Sequence, residues 1–295
     1  MTGPNVGSPV TNGEFELFNL SRPYFDAAGL QVAIDEETRA IAGFVHSGFG
    51  PADPASFCRR LDRSMGTIAV VCAPADPEME DSLIQAGINY LRKEGAGVIY
   101  AGGRFPLNPF YWGLYGGSEF SGVLESQPEL QAALVRNGFK ESARSVLFEY
   151  NLAKAEPRHV KNIVLKRESR LSILEDDSLG CHWTELALEA FHPMNVEIRD
   201  RHDTRTLARS VLWPMALYGR RESVSRIGLI GVEVAPGHRR QGYGRLVVTE
   251  SIKCAIELSY DVLCVQTDVT NTPAMGLYEG MGFSRSGSAS LFRLG

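Results

Sequence analysis

Apolar and polar positions in the second part of the chain follow a repeated strand and helix order. An apolar strand pattern at 225–234 is followed by helical spacing at 245–258, a second strand pattern at 261–269, a short helix at 271–283 and a last strand at 286–294. Strands show as short apolar runs, whereas helices show as apolar residues three and four positions apart. This part of the chain therefore predicts an α/β unit.

The first part of the chain shows the same order of elements. It carries a strand pattern at 67–74, a helix at 79–93, a strand at 96–103, a short helix at 127–139 and a last strand at 143–152. Repetition of one order of elements predicts two related α/β units in tandem.

We place the division between the units in a candidate linker at 153–162, which gives units of 1–155 and 156–295. Each unit also has patterns upstream of its repeat. They are apolar stretches at 30–34 and 41–50 in the first unit, and a strand at 170–175 with helical spacing at 181–191 and 204–212 in the second.

Composition narrows the class of protein. The 295 residues are 44% apolar and 22% charged with a net charge of −5, which is ordinary for a soluble globular protein. Mild acidity argues against binding to nucleic acid or to an anionic membrane surface, and we find no apolar run of membrane-spanning length. The amino-terminal stretch has neither the basic nor the apolar region of a secretory signal.

Cysteine and histidine usage agrees with this class. The five cysteines form no CxxC pair, and Cys72, Cys254 and Cys264 stand in apolar stretches. We therefore expect buried, reduced thiols and a cytoplasmic protein. The six histidines show no metal-ligand spacing, so we expect no metal site.

A basic, glycine-rich turn joins the strand at 225–234 to the helix at 245–258. Helix N-termini leave unpaired N–H groups and a partial positive charge, and glycine lets the backbone curve closely around a ligand. Arg239 and Arg240 add full charges that pair with phosphate oxygens. The turn therefore suits an anion such as a diphosphate. Taken alone, a solvated basic turn explains it equally well.

The wider pattern is more specific. The sequence Val-x-Val-x-Pro-x-x-Arg-x-x-Gly-x-Gly, from Val232 to Gly244, resembles the coenzyme A motif of the GCN5-related N-acetyltransferase (GNAT) superfamily. Asn271 and Tyr278 follow in the family's order, and the resemblance covers roughly 168–295. It implies an α/β (α+β) protein of two tandem GNAT-like units, each a mixed, mostly antiparallel twisted sheet flanked by helices. The layout is similar to that of mycothiol synthases, from which only the arrangement is carried over.

The resemblance also implies a site for acetyl-CoA as co-substrate. The turn would hold the pyrophosphate, and a bulged strand before it would pair its backbone with pantetheine and polarise the acetyl carbonyl. The implied cofactor-binding residues are Val232, Glu233, Val234, Arg239, Arg240, Gln241, Gly242, Tyr243, Gly244, Asn271 and Tyr278.

Direct transfer to an amine needs a proton donor for the leaving thiolate and a group that takes the amine's proton. Tyr278 is the donor by family position, since a phenol with a reference pKa of about 10 stays protonated at neutral pH; considered alone, it is equally a packed aromatic. Glu233 is the candidate base, with acceptor binding or a solvated strand position as alternatives. A covalent acetyl-cysteine route is disfavoured because Cys254 and Cys264 lie in core patterns.

The first unit lacks these features. When the repeats are aligned by their Gly-Phe pairs, Leu134 takes the place of Tyr278, and Gln127 takes that of Asn271. The loop after Pro74 carries carboxylates instead of arginines. Carboxylates stabilise a helix N-terminus but repel a pyrophosphate. We therefore expect the first unit not to bind acetyl-CoA.

An aromatic and glycine-rich segment at 104–122 lies inside the first unit. Three interpretations are open: it fills the seam between the units, it walls a ligand pocket with Glu119 and Asn108 as polar anchors, or it forms an oligomer contact. The sequence favours the seam.

The expected function is N-acetyl transfer from acetyl-CoA to a primary amine of a small molecule in the second unit. We expect no nucleic acid or membrane partner, and a homodimer is left open. Two alternatives stand beside this function: an acetyltransferase acting on protein amines, and a non-catalytic acyl-CoA sensor or scaffold. Retention of Tyr278 argues against the sensor, because a protein that only binds needs no proton donor.

Overall fold

The computed structural model describes residues 11–22, 25–52, 60–74, 76–102, 118–119, 122–154, 163–175, 185, 191–216 and 223–295. Its helices are α1 (Asn12–Phe15), α2 (Pro77–Lys93), α3 (Pro128–Arg136), α4 (Ile163–Glu168), α5 (Tyr243–Glu257) and α6 (Thr272–Met281), with a π-helical turn at Glu16–Leu20 and 3-10 turns at Ala27–Gly29 and Pro236–His238. Its strands are β1 (Leu30–Ile34), β2 (Ile41–Pro51), β3 (Leu61–Cys72), β4 (Val98–Ala101), β5 (Val123–Leu124), β6 (Lys140–Asn151), β7 (Ser169–Glu175), β8 (Met194–Asp200), β9 (Thr206–Pro214), β10 (Arg226–Val234), β11 (Val262–Asp268) and β12 (Ser284–Leu294).

The strands form a single 12-stranded sheet in the order β1-β2-β3-β4-β12-β6-β11-β10-β9-β8-β7, with β5 paired to β12 beside this path. The β3–β4 and β10–β11 pairs are parallel, and the remaining pairs of this sheet are antiparallel. The predicted fold class, a mixed and mostly antiparallel sheet flanked by helices in two tandem units, is confirmed.

The last strands of the two repeats are exchanged. β12, at the end of the second repeat, pairs with β4 of the first, while β6, at the end of the first repeat, pairs with β11 of the second. β6 and β12 also pair with each other in the middle of the sheet. The predicted boundary near 155 therefore separates two stretches of sequence that share their central strands, and that boundary stays a prediction.

Two hydrophobic cores follow this exchange. The second core, beneath α5 and α6, contains Val146 and Phe148 from β6 and Leu152 directly after it. The first core, beneath α2 and α3, contains Phe292 from β12, with Leu294 packed against it. Each core is therefore completed by a strand from the other half of the sequence.

Four patterns predicted from the sequence either differ from the structure or lie outside the residues that it describes. The prediction of a helix at 204–212 is wrong, since these residues lie mostly in β9. β9 runs between β8 and β10 with Leu207, Ala208 and Ser210 all buried, and burial on both faces removes the alternation that marks a strand. The predicted linker, the helix at 181–191 and the aromatic segment at 104–122 fall largely outside the described residues.

No helix in the described ranges combines the length and the apolar character needed to cross a bilayer.

The close packing of β9 on β10 yields a stability prediction at Gly228. A Cβ atom at this position would overlap the indole ring of the buried Trp213, so we expect Gly228→Ala to lower the free energy of unfolding by about 1–3 kcal/mol. Gly276→Ala is the matched control, because a Cβ there meets nothing within 4 Å and alanine favours the helix by up to about 1 kcal/mol. Urea unfolding of both variants measures the difference, and equal stability would contradict the packing.

Candidate functional site

The site begins where β10 parts from β11. Their parallel pairing runs from Arg226 opposite Val262 to Leu229 opposite Val265. On the other side of β10, the register with β9 shifts between Ile230 and Glu233. Gly231 lies there with a φ of 59°, a conformation that glycine adopts without strain. The bulge that the resemblance implied is confirmed, and it opens a gap in the sheet.

The backbone of β10 beyond the bulge directs a donor into this gap. The N–H of Ala235 donates to the carbonyl oxygen of Leu207 on β9 at 2.9 Å. In an antiparallel pair, hydrogen-bonded and non-hydrogen-bonded positions alternate, so the N–H of Val234, opposite Ala208, points away from β9. Val234 therefore presents its N–H on the side from which β11 has withdrawn.

The turn after β10 exposes the N-terminus of α5. Arg240 and Gly242 have φ values of 61° and 96°, which curl the backbone into a left-handed turn. Gly242 is the N-cap residue of α5 and no side chain caps the helix there. The first N–H groups of α5, which have no partner within the helix, remain available to an anion.

Two long side chains brace the same turn. The Nε atom of Arg239 donates to the carbonyl oxygen of Val234 at 3.3 Å, and the Nε2 atom of Gln241 donates to that of Gly237 at 3.0 Å. The ring of Tyr243 is buried in the second core, where desolvation raises its pKa. Tyr243 can therefore serve a ligand through its backbone only.

Strand, turn and helix ends surround one cavity of about 1050 Å³. It gathers nine of the eleven predicted cofactor-binding residues and leaves out Gln241 and Tyr243. Its lining consists of Glu197, Thr206, Leu207, Ala208, Arg209, Val232, Glu233, Val234, Ala235, Pro236, Arg239, Arg240, Gly242, Gly244, Arg245, Asn271, Pro273, Ala274, Leu277 and Tyr278.

Arg209 and Arg245 are the cavity cations that the sequence did not reveal. Arg245 lies in the first turn of α5, and its Nη1 donates to the carbonyl oxygen of Gly280 at 3.3 Å. Its position directly after the glycine motif is the feature of the sequence that could have indicated its place in the cavity. Arg209 lies in the stretch at 204–212 that is predicted as a helix. Because the helix was expected, the sequence did not indicate that the side chain of Arg209 faces the cavity from a strand.

Asn271 and Tyr278 reach the cavity from α6. Asn271 is the N-cap residue, and its Oδ1 accepts from the N–H of Ala274 at 3.3 Å. Tyr278 follows seven positions later, which is two helical turns on the same face. The predicted pair therefore shares one face of α6, and Asn271 also stabilises the helix end.

The phenol of Tyr278 is buried between two aromatic rings. Only 4% of Tyr278 is exposed, and its ring centroid lies 5.9 Å from that of Phe148 and 5.5 Å from that of Phe283. Burial, and then the negative charge of Glu119, raise the pKa of Tyr278 above its ordinary value. The phenol therefore keeps its proton at neutral pH, as a proton donor requires.

Glu233 lies at the exposed rim of the cavity. Its Oε2 accepts from Nη2 and Nε of Arg209 at 2.9 and 3.0 Å, and both side chains are more than half exposed. Exposed pairs of this kind contribute about 1 kcal/mol or less. The ion pair occupies the carboxylate oxygen, and the role of Glu233 as base stays a prediction.

The equivalent turn in the first half is arranged differently. Asp76 is the N-cap residue of α2, and its Oδ1 accepts from the N–H groups of Glu78 and Met79 at 3.0 and 3.3 Å. A carboxylate of the chain itself therefore occupies the helix N-terminus. Leu134, which aligns with Tyr278, is buried in the first core.

Metal and cysteine chemistry have no support in the described part of the chain. No group of three or more histidine, cysteine, aspartate or glutamate side chains among those residues is placed to hold a metal ion. Cys254 and Cys264 are buried free thiols, and desolvation raises the pKa of Cys254.

Comparison with known proteins agrees with this geometry. Residues 211–283, which include β10, the turn, α5, β11 and α6, match the model of the acetyltransferase (GNAT) family. No curated protein matches the chain significantly.

Solved structures extend the likeness to the whole chain. One is described as a GCN5-related glucosamine N-acetyltransferase region of a fungal multi-domain GH3 β-N-acetylglucosaminidase, with a TM-score of 0.69 and 15% identity over 97% of this chain and 35% of that one. This chain thus spans about a third of the fungal protein. A tandem GNAT protein from the clavulanic acid biosynthesis pathway superposes with a TM-score of 0.66 and 12% identity, over 99% of this chain and 90% of that one. At these identities the likeness shows the shared fold.

Proposed function

We propose that this chain, which belongs to the GNAT superfamily and carries two of its units in tandem, transfers an acetyl group from acetyl-CoA to a primary amine of a small molecule. The fold and the matched family support acyl transfer in general. The observation that carries the finer proposal is that one cavity receives the uncapped N-terminus of α5, the splayed end of β10 and the phenol of Tyr278.

Each part of the cavity has a chemical task in this reaction. The first N–H groups of α5, with Arg239 and Arg240, would hold the pyrophosphate. The N–H of Val234 would donate to the oxygen that becomes negative in the tetrahedral intermediate. Tyr278 would protonate the leaving thiolate, because the buried phenol is protonated at neutral pH.

Titration calorimetry with acetyl-CoA tests coenzyme binding. We expect saturable binding at one site per chain and, in the Arg239→Glu, Gly242→Asp double variant, affinity lower by at least about 10²-fold. Each hydrogen bond to a charged group contributes about 1.5–3 kcal/mol. The variant replaces the guanidinium of Arg239 with a carboxylate and adds a second carboxylate at Gly242. Arg39→Glu is the matched control, since Arg39 lies in the exposed turn after β1 and should leave the affinity unchanged.

Other outcomes would contradict particular parts of the proposal. Two sites per chain would show that the first half binds the coenzyme despite the carboxylate of Asp76. If the folded wild-type protein does not bind acetyl-CoA, acetyl-CoA is not its co-substrate. An equal loss in the Arg39→Glu control would assign the effect to net charge instead of the turn.

A further inference from the structure

The cavity of the candidate site reaches both faces of the sheet. Val232 and Val234 of β10 pack against the second core, on the α5 side. Side chains alternate between the two faces of a strand, so Glu233 between them points away from α5. All three residues line the cavity, together with the turn after β10 and the first turn of α5. One cavity therefore connects the α5 side of the sheet with the face away from α5.

A row of three charges crosses the sheet on the face away from α5. Arg209 of β9 lies directly opposite Glu233 of β10 on one side and directly opposite Glu197 of β8 on the other. Directly opposite side chains of antiparallel strands share a face. Glu197, Arg209 and Glu233 therefore stand on the same face, and all three line the cavity. We call these three residues the charged row.

The carboxylate at one end of the charged row is already neutralised. The Oε2 atom of Glu197 accepts from Nη1 of Arg199 at 2.9 Å and from Oγ1 of Thr206 at 3.1 Å, and only 16% of its side chain is exposed. The ion pair with Arg199 balances the charge of Glu197. Arg209 and Glu233 therefore remain as the two charges of the row that an incoming ligand meets.

The guanidinium of Arg209 is held along one edge and open along another. Its Nε donates to Oε2 of Glu233 at 3.0 Å, and its Nη2 lies 2.9 Å from the same oxygen. Nη1 and the second hydrogen of Nη2 have no partner among the residues that the structure describes, and 54% of the side chain is exposed. Guanidinium donors stand in a rigid planar fork, and such an edge matches a carboxylate with two parallel hydrogen bonds.

The two reactants of an acetyl transfer are expected to enter this cavity from opposite faces. The N-terminus of α5 suits the pyrophosphate on its own side of the sheet, so the thioester reaches the gap between β10 and β11 from that side. The amine then approaches the carbonyl carbon from the face of the charged row. A molecule with one ammonium and one carboxylate group is complementary there to Glu233 and Arg209.

We propose that Arg209 binds a carboxylate group of the acceptor, so that the substrate of the transferase is an amine that also carries a carboxylate. Glu233 is then a positioning residue that holds the guanidinium with its free edge in the cavity. This inference rests on the proposed acetyl transfer, and it adds the chemical class of the acceptor.

The reaction of such an acceptor balances without a further reagent. The amine nitrogen forms a bond to the acetyl carbonyl carbon, and the carbon–sulfur bond breaks. Of the two protons that the ammonium group loses, one replaces the proton that Tyr278 gives to the leaving thiolate, and the other goes to water. The carboxylate at Arg209 is unchanged, and the products are the N-acetyl amino carboxylate, free coenzyme A and one proton.

Arg209 is separate in the fold from the cations of the turn. Arg239 and Arg240 precede α5 and Arg245 lies in its first turn, whereas Arg209 lies in β9. A contact between Arg209 and a phosphate of the coenzyme is the competing assignment. The two assignments differ in which ligand loses affinity when the guanidinium is removed, so acceptor and coenzyme are measured separately.

Two substitutions at Arg209 and one matched control provide the variants. Arg209→Gln removes the charge and the fork, whereas Arg209→Lys keeps the charge and loses the fork. Arg144→Gln is the control, because Arg144 lies in another strand and also forms an exposed ion pair, with Glu141 at 2.8 Å. Its side chain is 51% exposed, and it is not among the residues that line the cavity.

The test compares acceptors in pairs that differ only by a carboxylate in place of a hydroxymethyl group. The pairs are glycine with ethanolamine, β-alanine with 3-aminopropanol, and 4-aminobutanoate with 4-aminobutanol, and release of coenzyme A thiol is measured. We expect wild type to prefer the carboxylate member of at least one pair by about 10–10²-fold in kcat/KM. Arg209→Gln should lose this preference mainly through a higher KM for the acceptor, Arg209→Lys should retain part of it, and Arg144→Gln should match wild type.

Calorimetry with acetyl-CoA completes the test, and we expect the same affinity in all four proteins. A wild type that acetylates the amino alcohols as well as the amino carboxylates, or a preference that survives in Arg209→Gln, would overturn the inference and leave the transferase standing. Weaker acetyl-CoA binding in Arg209→Gln, with an unchanged ratio within each pair, would assign Arg209 to the coenzyme instead. A wild type that binds acetyl-CoA but acetylates none of the six amines would contradict the proposed function itself.

Discussion

A fragment of residues 156–295 is expected to show no cooperative unfolding transition, although it contains the whole coenzyme motif. It lacks β6, which pairs with β11 and brings Val146 and Phe148 into the second core, and it lacks Leu152, which follows β6 into the same core. Truncating one buried phenylalanine to alanine costs about 3–5 kcal/mol, and a domain is stable by only about 5–15 kcal/mol. Loss of all three side chains together with a central strand should exceed that margin.

A longer fragment is the matched control. Residues 138–295 retain β6 and should recover cooperative urea unfolding, followed by circular dichroism, because β6 can again pair with β11 and β12. The fragment 1–155 lacks Phe292 of the first core and should fail as the shorter carboxyl-terminal fragment does. Cooperative unfolding of 156–295 alone would show that the exchanged strand is dispensable.

Tyr278→Phe is expected to lower kcat by about 10²–10⁴-fold, the usual effect of losing a positioned acid, with acetyl-CoA affinity nearly unchanged. The substitution removes one hydroxyl group and keeps the ring that packs on Phe148 and Phe283. Stopped-flow detection of coenzyme A thiol release, beside calorimetry, separates the chemical step from binding.

Tyr260→Phe is the control for this variant. Tyr260 packs against the same core, and burial likewise raises its pKa, but it does not line the cavity. Retained turnover in Tyr278→Phe would favour another proton donor. If no turnover is found in wild type either, while acetyl-CoA still binds, the chain is better explained as an acyl-CoA sensor.

The helices could be predicted closely from the sequence because their ends carry local signals. The predicted helix at 79–93 is observed at Pro77–Lys93, preceded by the N-cap Asp76. The predicted helix at 271–283 is observed at Thr272–Met281, between the N-cap Asn271 and Gly282 with a φ of 95°. Caps and left-handed glycines are encoded within a few residues, so a single sequence reveals them.

The partners of the strands were not predictable in the same way. The apolar patterns of β6 and β12 are satisfied by pairing within each repeat or by the observed exchange, since both bury the same faces. Periodicity predicts no strand at β8 (Met194–Asp200) and predicts a helix over most of β9, because both strands are buried on two sides. Whether such a stretch forms a strand or a helix depends on its tertiary contacts, and the periodicity of apolar residues contains no information about these contacts.

The residues of the candidate site likewise differ in how far the sequence predicts them. The glycine motif, Asn271 and Tyr278 are contiguous or ordered in sequence, and most of them line the cavity. The hydrogen bond from Trp213 to Ser118, which joins the two halves, has no such signal in the sequence. Residues that meet only through a crossing between the halves have no fixed spacing along the chain.

The exchange of β6 and β12 also affects folding during synthesis on the ribosome. β12 begins at Ser284, roughly 180 positions after β4 ends at Ala101, and contacts between such distant segments form late. Chains emerge at about 5–20 residues per second, so the edge of β4 should stay unpaired for about 10–40 seconds. The first half is then completed only after β12 has emerged, and a nascent chain stalled before Ser284 should be far more sensitive to protease than a chain that includes β12.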